Sequence, residues 1–269
     1  MTDVPGDDGW GRATPGGRDI DDDELARRSV ASFGEMLAVV GRWGVGPGAA
    51  VRRHDAIGAR IPDLGANPWF NAVVVPYDVP PPGDDGSLPY CVWTVADRVG
   101  DRPEDPSIAL PCMGLDLAGH RPAIRSEPMT VDVPALAELG AMNDRAYGEG
   151  AVLGPLAARI DDDRVTTAGI RSDGRFVCVA TTLTLGDDLG IHYVATESTH
   201  RRQGLATALL SAVLDRATSD GLCTATLQAS PDGRPVYLQM GFRPVALLRA
   251  FVAPPSDRPG ATGPAGPSR

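Results

Sequence analysis

Six consecutive residues, Arg201-Arg-Gln-Gly-Leu-Ala206, carry the clearest chemical potential in this sequence of 269 residues. They stand between a strand-like stretch and the first turn of an amphipathic helix, where backbone N–H groups without helical partners and the positive end of the helix dipole attract anions. A phosphate is the natural guest. Gly204 lets the backbone approach such a ligand with no Cβ in the way, Ala206 keeps the turn open and Thr207 adds a hydroxyl. On its own, R-x-x-G-x-A also describes an arginine-rich turn that merely starts a helix. Elsewhere the reactive residue types are dispersed. Cys91, Cys112, Cys178 and Cys223 form no C-x-x-C pair and read as reduced thiols, with Cys178 and Cys223 buried by alternation. The four histidines form no H-x-x-x-H, so no metal site is expected.

The elements that must position this loop follow from periodicity. Leu25, Val30, Phe33, Leu37 and Val40 recur at near-helical spacing and predict a helix over 22–41, stopped by Gly41 and Gly44. Strand-like pieces follow at 49–60, 69–76 and 90–96, broken by the loop that starts at Pro80, and then comes an apolar segment at 108–117. A second unit starts near residue 127, with Asp132 as N-cap and Pro134 just inside a helix bearing Leu136, Leu139 and Met142. Three antiparallel strands are expected at 164–170, 175–185 and 190–196. After the Arg201–Ala206 loop, a helix carries Leu205, Leu209, Leu210, Val213, Leu214 and Ala217 and closes at Asp220-Gly221. A strand at 223–229, a short helix at 233–240 and a strand at 242–251 complete the unit.

In this context residues 128–251 resemble the GNAT superfamily of acyl-CoA-dependent N-acetyltransferases. The stretch VATESTHRRQGLATALL is similar to that family's strand, pyrophosphate loop and helix, with Arg201, Gly204 and Ala206 at the pattern's positions. Downstream, LQASPDGRPVYLQMGF is similar to its next strand and short helix. The resemblance implies an α/β (α+β) fold with a mixed, mostly antiparallel sheet flanked by helices, and acetyl-CoA as co-substrate with no metal. It further implies that backbone groups of Val194, Ala195 and Thr196 bond the pantetheine arm as a substitute strand would. Those of Arg202, Gln203, Gly204, Leu205, Ala206 and Thr207 would hold the pyrophosphate. Ser230 stands where the family often has Asn, and its hydroxyl has less reach toward the cofactor.

Acetyl transfer to an amine needs a neutral nitrogen, stabilisation of the developing oxyanion and a proton for the departing thiolate. Tyr237 matches the family position whose phenol protonates the sulfur; the same residue also reads as an aromatic packed under the last strand. The family's carboxylate base is missing, since Gly190 is the equivalent position. His192, two residues on and on the same strand face, has a pKa suited to accepting a proton, although a packed histidine or a water-mediated route serves equally. Glu197 reads as a solvated loop residue and Asp232 as a turn residue.

Residues 23–126 have no such loop of their own, because Gly44–Gly48 contains Pro where N–H groups would be needed. WFNAVVVP, YCVWTVA and ALPCMGLDLA resemble the degenerate amino-terminal halves of two-lobed members of the superfamily. That likeness implies a smaller GNAT-like lobe over 23–126 walling the acceptor pocket, with Trp69, Phe70, Asn71 and Trp93, and a transferase domain over 127–252; each of these aromatics taken singly also reads as core. Asn143, Tyr147 and Glu149 fall in the region that faces the acceptor in relatives, which would let a cationic amine meet Glu149; that residue also reads as a solvated loop carboxylate. Residues 1–22 and 253–269 are expected to be disordered tails.

Composition narrows the partners. The net charge is −10, and residues 1–24 hold eight acids against two arginines, which disfavours nucleic acid. All 25 basic residues are Arg. No apolar run has the length of a membrane span and no signal-like core opens the chain, so a cytoplasmic protein acting on a small-molecule amine is expected. The alternative is an acyl-CoA sensor without catalysis. Longer acyl donors, a protein N-terminus as acceptor and a homodimer all stay open.

Overall fold

The computed structural model describes residues 20–43, 49–53, 55–61, 64, 67, 69–82, 90–103, 105–118, 120, 130–147 and 152–253. Helix α1 (Asp22–Trp43) starts where the Asp21 carboxylate accepts the Glu24 N–H at 2.8 Å, and its first turn is acidic, which suits the helix dipole. It runs two residues past the predicted end. Gly41 is buried within it, because a helix pressed onto a sheet accepts the small residue that packing favours over propensity.

Ten strands follow: β1 (Ala49–Arg53), β2 (Ala56–Arg60), β3 (Asn71–Val74), β4 (Cys91–Thr94), β5 (Ile108–Asp116), β6 (Val165–Ser172), β7 (Arg175–Leu185), β8 (Asp188–Thr196), β9 (Thr224–Gln228) and β10 (Arg243–Val252). They form one sheet in the order β1-β2-β3-β4-β10-β5-β9-β8-β7-β6. Only β3 with β4 and β8 with β9 are parallel, so the sheet is mixed and mostly antiparallel. The helices α2 (Leu136–Tyr147), α3 (Leu153–Ala157), α4 (Leu205–Ser219) and α5 (Arg234–Gln239) complete the described elements.

The two halves of the chain share this sheet through β5, which pairs with β10 on one side and β9 on the other. Met113 and Leu115 of β5 join the core beneath α4 and α5, whereas Cys112 joins the aromatic core of Phe33 and Trp93 beside α1. A strand read as a bare apolar segment is buried on both faces, and this is why it lacks alternation.

Two expected starts move. Asp132 does not cap α2: it pairs with Gly169 by two 2.8 Å backbone bonds, and the Thr167 hydroxyl donates to Pro134 O at 2.6 Å. The segment is thus held extended against β6, and α2 begins at Leu136. β8 begins at Asp188 rather than 190, pairing with Thr224 of β9. Cys91, Cys112 and Cys178 are buried, but Cys223 is only half-buried, at a strand end where its thiol meets Asp187. Among the described residues no helix is long and apolar enough to cross a membrane, and no group of His, Cys, Asp and Glu is placed to hold a metal ion. The expectations for residues 1–19, 44–48, 83–89, 121–129, 148–151 and 254–269, Glu149 among them, lie outside the described residues.

Candidate active site

β8 builds the site by leaving its neighbour. Its parallel pairing with β9 ends at Ile191–Leu227, and on its other edge two residues, Tyr193 and Val194, face the single Ala180 between the pairs His192–Thr181 and Ala195–Val179. Tyr193 adopts φ 49° in this bulge. A bulge bends a strand and re-aims its side chains, and here it turns Val194–Thr196 toward the start of α4.

The loop after β8 is a 3-10 turn, Ser198–His200, followed by Arg202 at φ 62° and Gly204 at φ 76°, the residue before α4. The left-handed conformation favours glycine at 204, and no atom lies within 4 Å of where a Cβ would stand. Arg201 fixes the loop, donating to Thr196 O at 3.2 Å and to Ala146 O at 2.9 Å. The cleft between this loop, β8 and α5 has a volume of about 760 Å³, and its walls include Val194, Ala195, Thr196, Arg202, Gly204 and Thr207. Leu205, Ala206, Ser230 and Tyr237 also line it. Gln203 does not; its carboxamide turns back to Thr199 O at 3.3 Å.

A second cavity, of about 250 Å³, opens on the other side of Tyr237. Val194, Ser230 and Tyr237 line both. Tyr237 is buried on α5, and its ring lies over Gly233, where an added Cβ would come within 2.9 Å of Cε2 and 3.3 Å of the phenol oxygen. Gly233, at φ −79°, is therefore needed for space and not for conformation. Ser230 Oγ accepts the Gly233 N–H at 3.1 Å, so the serine both shapes this turn and borders the two cavities.

The smaller cavity draws on both halves of the chain: Phe33, Met36 and Leu37 from α1, Trp69 and Phe70 before β3, Leu110 from β5, and Asn143, Leu153, His192 and Gln228 from the second half. Of the residues expected from 23–126, Trp69 and Phe70 line it. Trp93 stands behind Trp69, ring centroids 5.0 Å apart, and Asn71 is a structural clamp whose carboxamide bonds Ile61 N at 2.9 Å and Ile61 O at 3.0 Å.

His192 lines the cavity, but not as a poised base. Its Nε2 shares a 3.0 Å hydrogen bond with Ser32 Oγ of α1, and burial drives its pKa down to about 3. The value expected for an exposed imidazole is lost because a charged ring would be desolvated with no acid beside it. Ser32 also explains Gly190, since a Cβ there would collide with Ser32 Oγ. Where relatives often place a carboxylate, this chain brings in a helix hydroxyl. Sequence reading missed Ser32, Gly233 and Gln228; only an unexplained serine on the buried face of α1 could have pointed to the first. Gln228 is anchored by its amide, Nε2 donating to Ser29 Oγ at 2.8 Å and Ser29 O at 2.9 Å. Glu197 pairs with Arg145 at 2.9 Å, away from both cavities.

The buried thiols are unreactive: desolvation pushes Cys91 up to about 12 and Cys112 and Cys178 up to about 11. Asp188 is the other buried ionisable group with a large shift, raised to about 6 by burial although it accepts from the Thr224 and Thr226 hydroxyls at 2.6 and 2.7 Å.

Comparison with known proteins bears on this geometry. Residues 149–251, which span the bulged β8, the loop, α4 and α5, match the acetyltransferase (GNAT) domain family. Among solved structures, a GCN5-related N-acetyltransferase from Kribbella flavida is similar with TM-score 0.57 and 16% identity, over 85% of this chain and 95% of that one. A putative GNAT acetyltransferase from Novosphingobium aromaticivorans has TM-score 0.49 and 16% identity, over 82% and 96%. A functionally unknown conserved protein from Staphylococcus epidermidis has TM-score 0.50 and 8% identity, over 76% and 93%. No curated protein matches the sequence. At such identities a structural likeness is one of fold, and that to the Kribbella flavida protein extends over both halves of the chain. Residues 149–251 thus form an acetyltransferase domain of the GNAT type, a family whose members use acetyl-CoA.

Proposed function

We propose that the protein moves the acetyl group of acetyl-CoA directly to a primary amine of a small molecule in the cytoplasm, a compartment that suits its free thiols. Residues 127–252 form the transferase domain and 23–126 the acceptor-side lobe, with the shared sheet joining them. The cleft suits the co-substrate: it is large, it is walled by strand backbone at Val194–Thr196, and it ends at a helix start where Gly204 leaves open space for a pyrophosphate. In this reading the N–H groups of Arg202, Gly204, Leu205, Ala206 and Thr207, residues that wall the cleft, serve that anion, and Ser230 borders the thioester end.

The observation that carries the reading is Tyr237, which stands where the large cleft and the smaller cavity meet. In the transfer the amine nitrogen bonds to the acetyl carbon as the carbon–sulfur bond breaks. The phenol of Tyr237 gives its proton to the departing sulfur, a backbone N–H at Val194 or Ala195 holds the developing oxyanion, and the amine's proton leaves to water. His192 stays neutral and orients the nitrogen by hydrogen bonding. No cysteine takes part, as their thiols are held protonated.

The test is calorimetric titration with acetyl-CoA beside a Gly204→Asp variant. Wild-type protein binds in the micromolar range and the variant loses about 100-fold in affinity, about 2.7 kcal/mol. A Gly204→Ala control reports the backbone strain alone, about 1–2 kcal/mol. Equal binding by Gly204→Asp overturns the placement of the pyrophosphate. Binding without thiol release for any amine favours a non-catalytic acyl-CoA sensor.

A further inference from the structure

The smaller cavity defines the acceptor more narrowly than the family does. We infer that it takes a single primary amine borne on an apolar, ring-containing body, and that it excludes polycations; this rests on the transferase reading above for the direction from which the amine meets the thioester.

Three features of the lining carry the inference. First, its described residues bear no formal charge: they are apolar or neutral polar groups, and His192 stays uncharged at neutral pH. A second ammonium buried against these residues loses its hydration and meets no carboxylate among them in return. Second, part of the wall is aromatic, built from Phe33, Trp69 and Phe70. Trp69 packs at 5.0 Å on Trp93 and edge-on to Phe33 at 6.3 Å, so its ring is backed by other rings. Rings prefer offset or edge contacts with such a surface, each adding about 0.5–1.5 kcal/mol beyond burial. An apolar cavity of about 150 Å³ already accommodates benzene. The cavity here, about 250 Å³, has room for a ring and a short chain but not for a trisaccharide.

Third, polar groups are placed for one nitrogen. Asn143 is 6% exposed, lines the cavity and makes no hydrogen bond to any described residue through its carboxamide. Gln228, which also lines the cavity, uses its NH₂ group on Ser29 and so keeps its carbonyl oxygen as an acceptor. Two amide groups with acceptor capacity suit a neutral amine, which donates. The same mainly apolar surroundings disfavour an ammonium and so favour the neutral nucleophile. That is the task of the carboxylate missing at Gly190.

The experiment reads binding, separately from turnover. Protein saturated with CoA, the unreactive product, is titrated calorimetrically with 2-phenylethylamine, ethylamine and spermidine. The expected order puts 2-phenylethylamine at least tenfold tighter than either of the others. Trp69→Ala weakens 2-phenylethylamine about tenfold with CoA affinity unchanged, and a thermal melt checks its folding; should it not fold, the wild-type comparison decides alone. Spermidine binding as tightly as 2-phenylethylamine, or CoA-loaded protein binding no ring amine, overturns the inference while the cofactor cleft stands. Ring-amine binding without CoA binding, or without thiol release from acetyl-CoA, upholds the inference and overturns the transferase reading instead.

Discussion

The large cleft and the small cavity touch at Val194, Ser230 and Tyr237, yet they are made of different material. The cleft is walled chiefly by residues drawn from one segment, 194–207, with the 230–237 turn beside it, and that segment displays its backbone through a bulge, a left-handed glycine and a helix start. The cavity is assembled from side chains on α1, the Trp69–Phe70 turn, β5, α2, α3, β8 and β9. A backbone site depends on local conformation and tolerates side-chain change, whereas an assembled site depends on every element that docks against it. Mutations in the two regions should therefore fail differently: in the cleft by loss of co-substrate affinity, in the cavity by loss of packing, amine binding or pH tolerance.

Acid should expose this contrast most. Unfolded, His192 takes up a proton below about pH 6.5; folded, burial keeps it neutral down to about 3. The stability linked to the neutral ring is complete above pH 6.5 and is lost as pH falls toward 3, amounting to about 3 kcal/mol by about pH 4.5. Asp188 opposes it, since its raised value of about 6 favours the fold on the acid side and withdraws that support as pH rises through 6. His192→Gln removes the first effect alone. In urea unfolding at neutral pH and at about pH 4.5, the variant should lose about 3 kcal/mol less than wild type on acidification. Equal losses would mean the ring is hydrated in the folded protein.

Tyr237→Phe asks whether the junction belongs to chemistry or to packing. Turnover should fall about 100-fold, about 2.7 kcal/mol in barrier, with the KM for acetyl-CoA within about twofold. A phenol that only packs on Phe242, 6.0 Å away between ring centroids, would leave turnover unchanged.

Gly190→Ala separates the regions by structure. Its Cβ must displace Ser32 and with it the middle of α1, which carries Phe33, Met36 and Leu37 into the cavity. A loss of about 2 kcal/mol of stability is expected, the cost typical of overpacking. Binding of 2-phenylethylamine should weaken while acetyl-CoA affinity is kept. Parallel loss of both ligands would show that the cleft, too, leans on α1.

The same division explains what could be read from the sequence. The cleft was legible because its determinants are contiguous: Arg201, Gly204 and Ala206 stand at fixed spacing between a strand and a helix, and the mixed, mostly antiparallel sheet came with them. The cavity was largely not. Ser32 and Gly190 are 158 positions apart and meet only because α1 crosses the sheet, and neither residue has a pattern of its own. Trp93 is the core ring that its residue type already suggests, whereas Asn71, which the resemblance sets at the pocket wall, is a clamp on Ile61. His192 was placed on the right face, but its pKa depends on what covers that face, which strand alternation does not report. Asp132 failed as a cap because pairing with Gly169 offered its backbone a better partner than a helix start did.

Ser230→Ala has the smallest expected effect and presses hardest on the contrast, because Ser230 belongs to both regions. Its hydroxyl accepts the Gly233 N–H at 3.1 Å and so fixes the turn beneath the Tyr237 ring. Losing one partly exposed hydrogen bond costs about 0.5–1 kcal/mol. If the serine acts through the turn, acetyl-CoA and 2-phenylethylamine should each bind about two- to threefold more weakly, in step. If it acts as a direct ligand of the co-substrate, only acetyl-CoA affinity falls, and the junction then belongs to the cleft. Paired titrations of the variant with each ligand distinguish the two, because a shift of the turn moves the one ring that both cavities share.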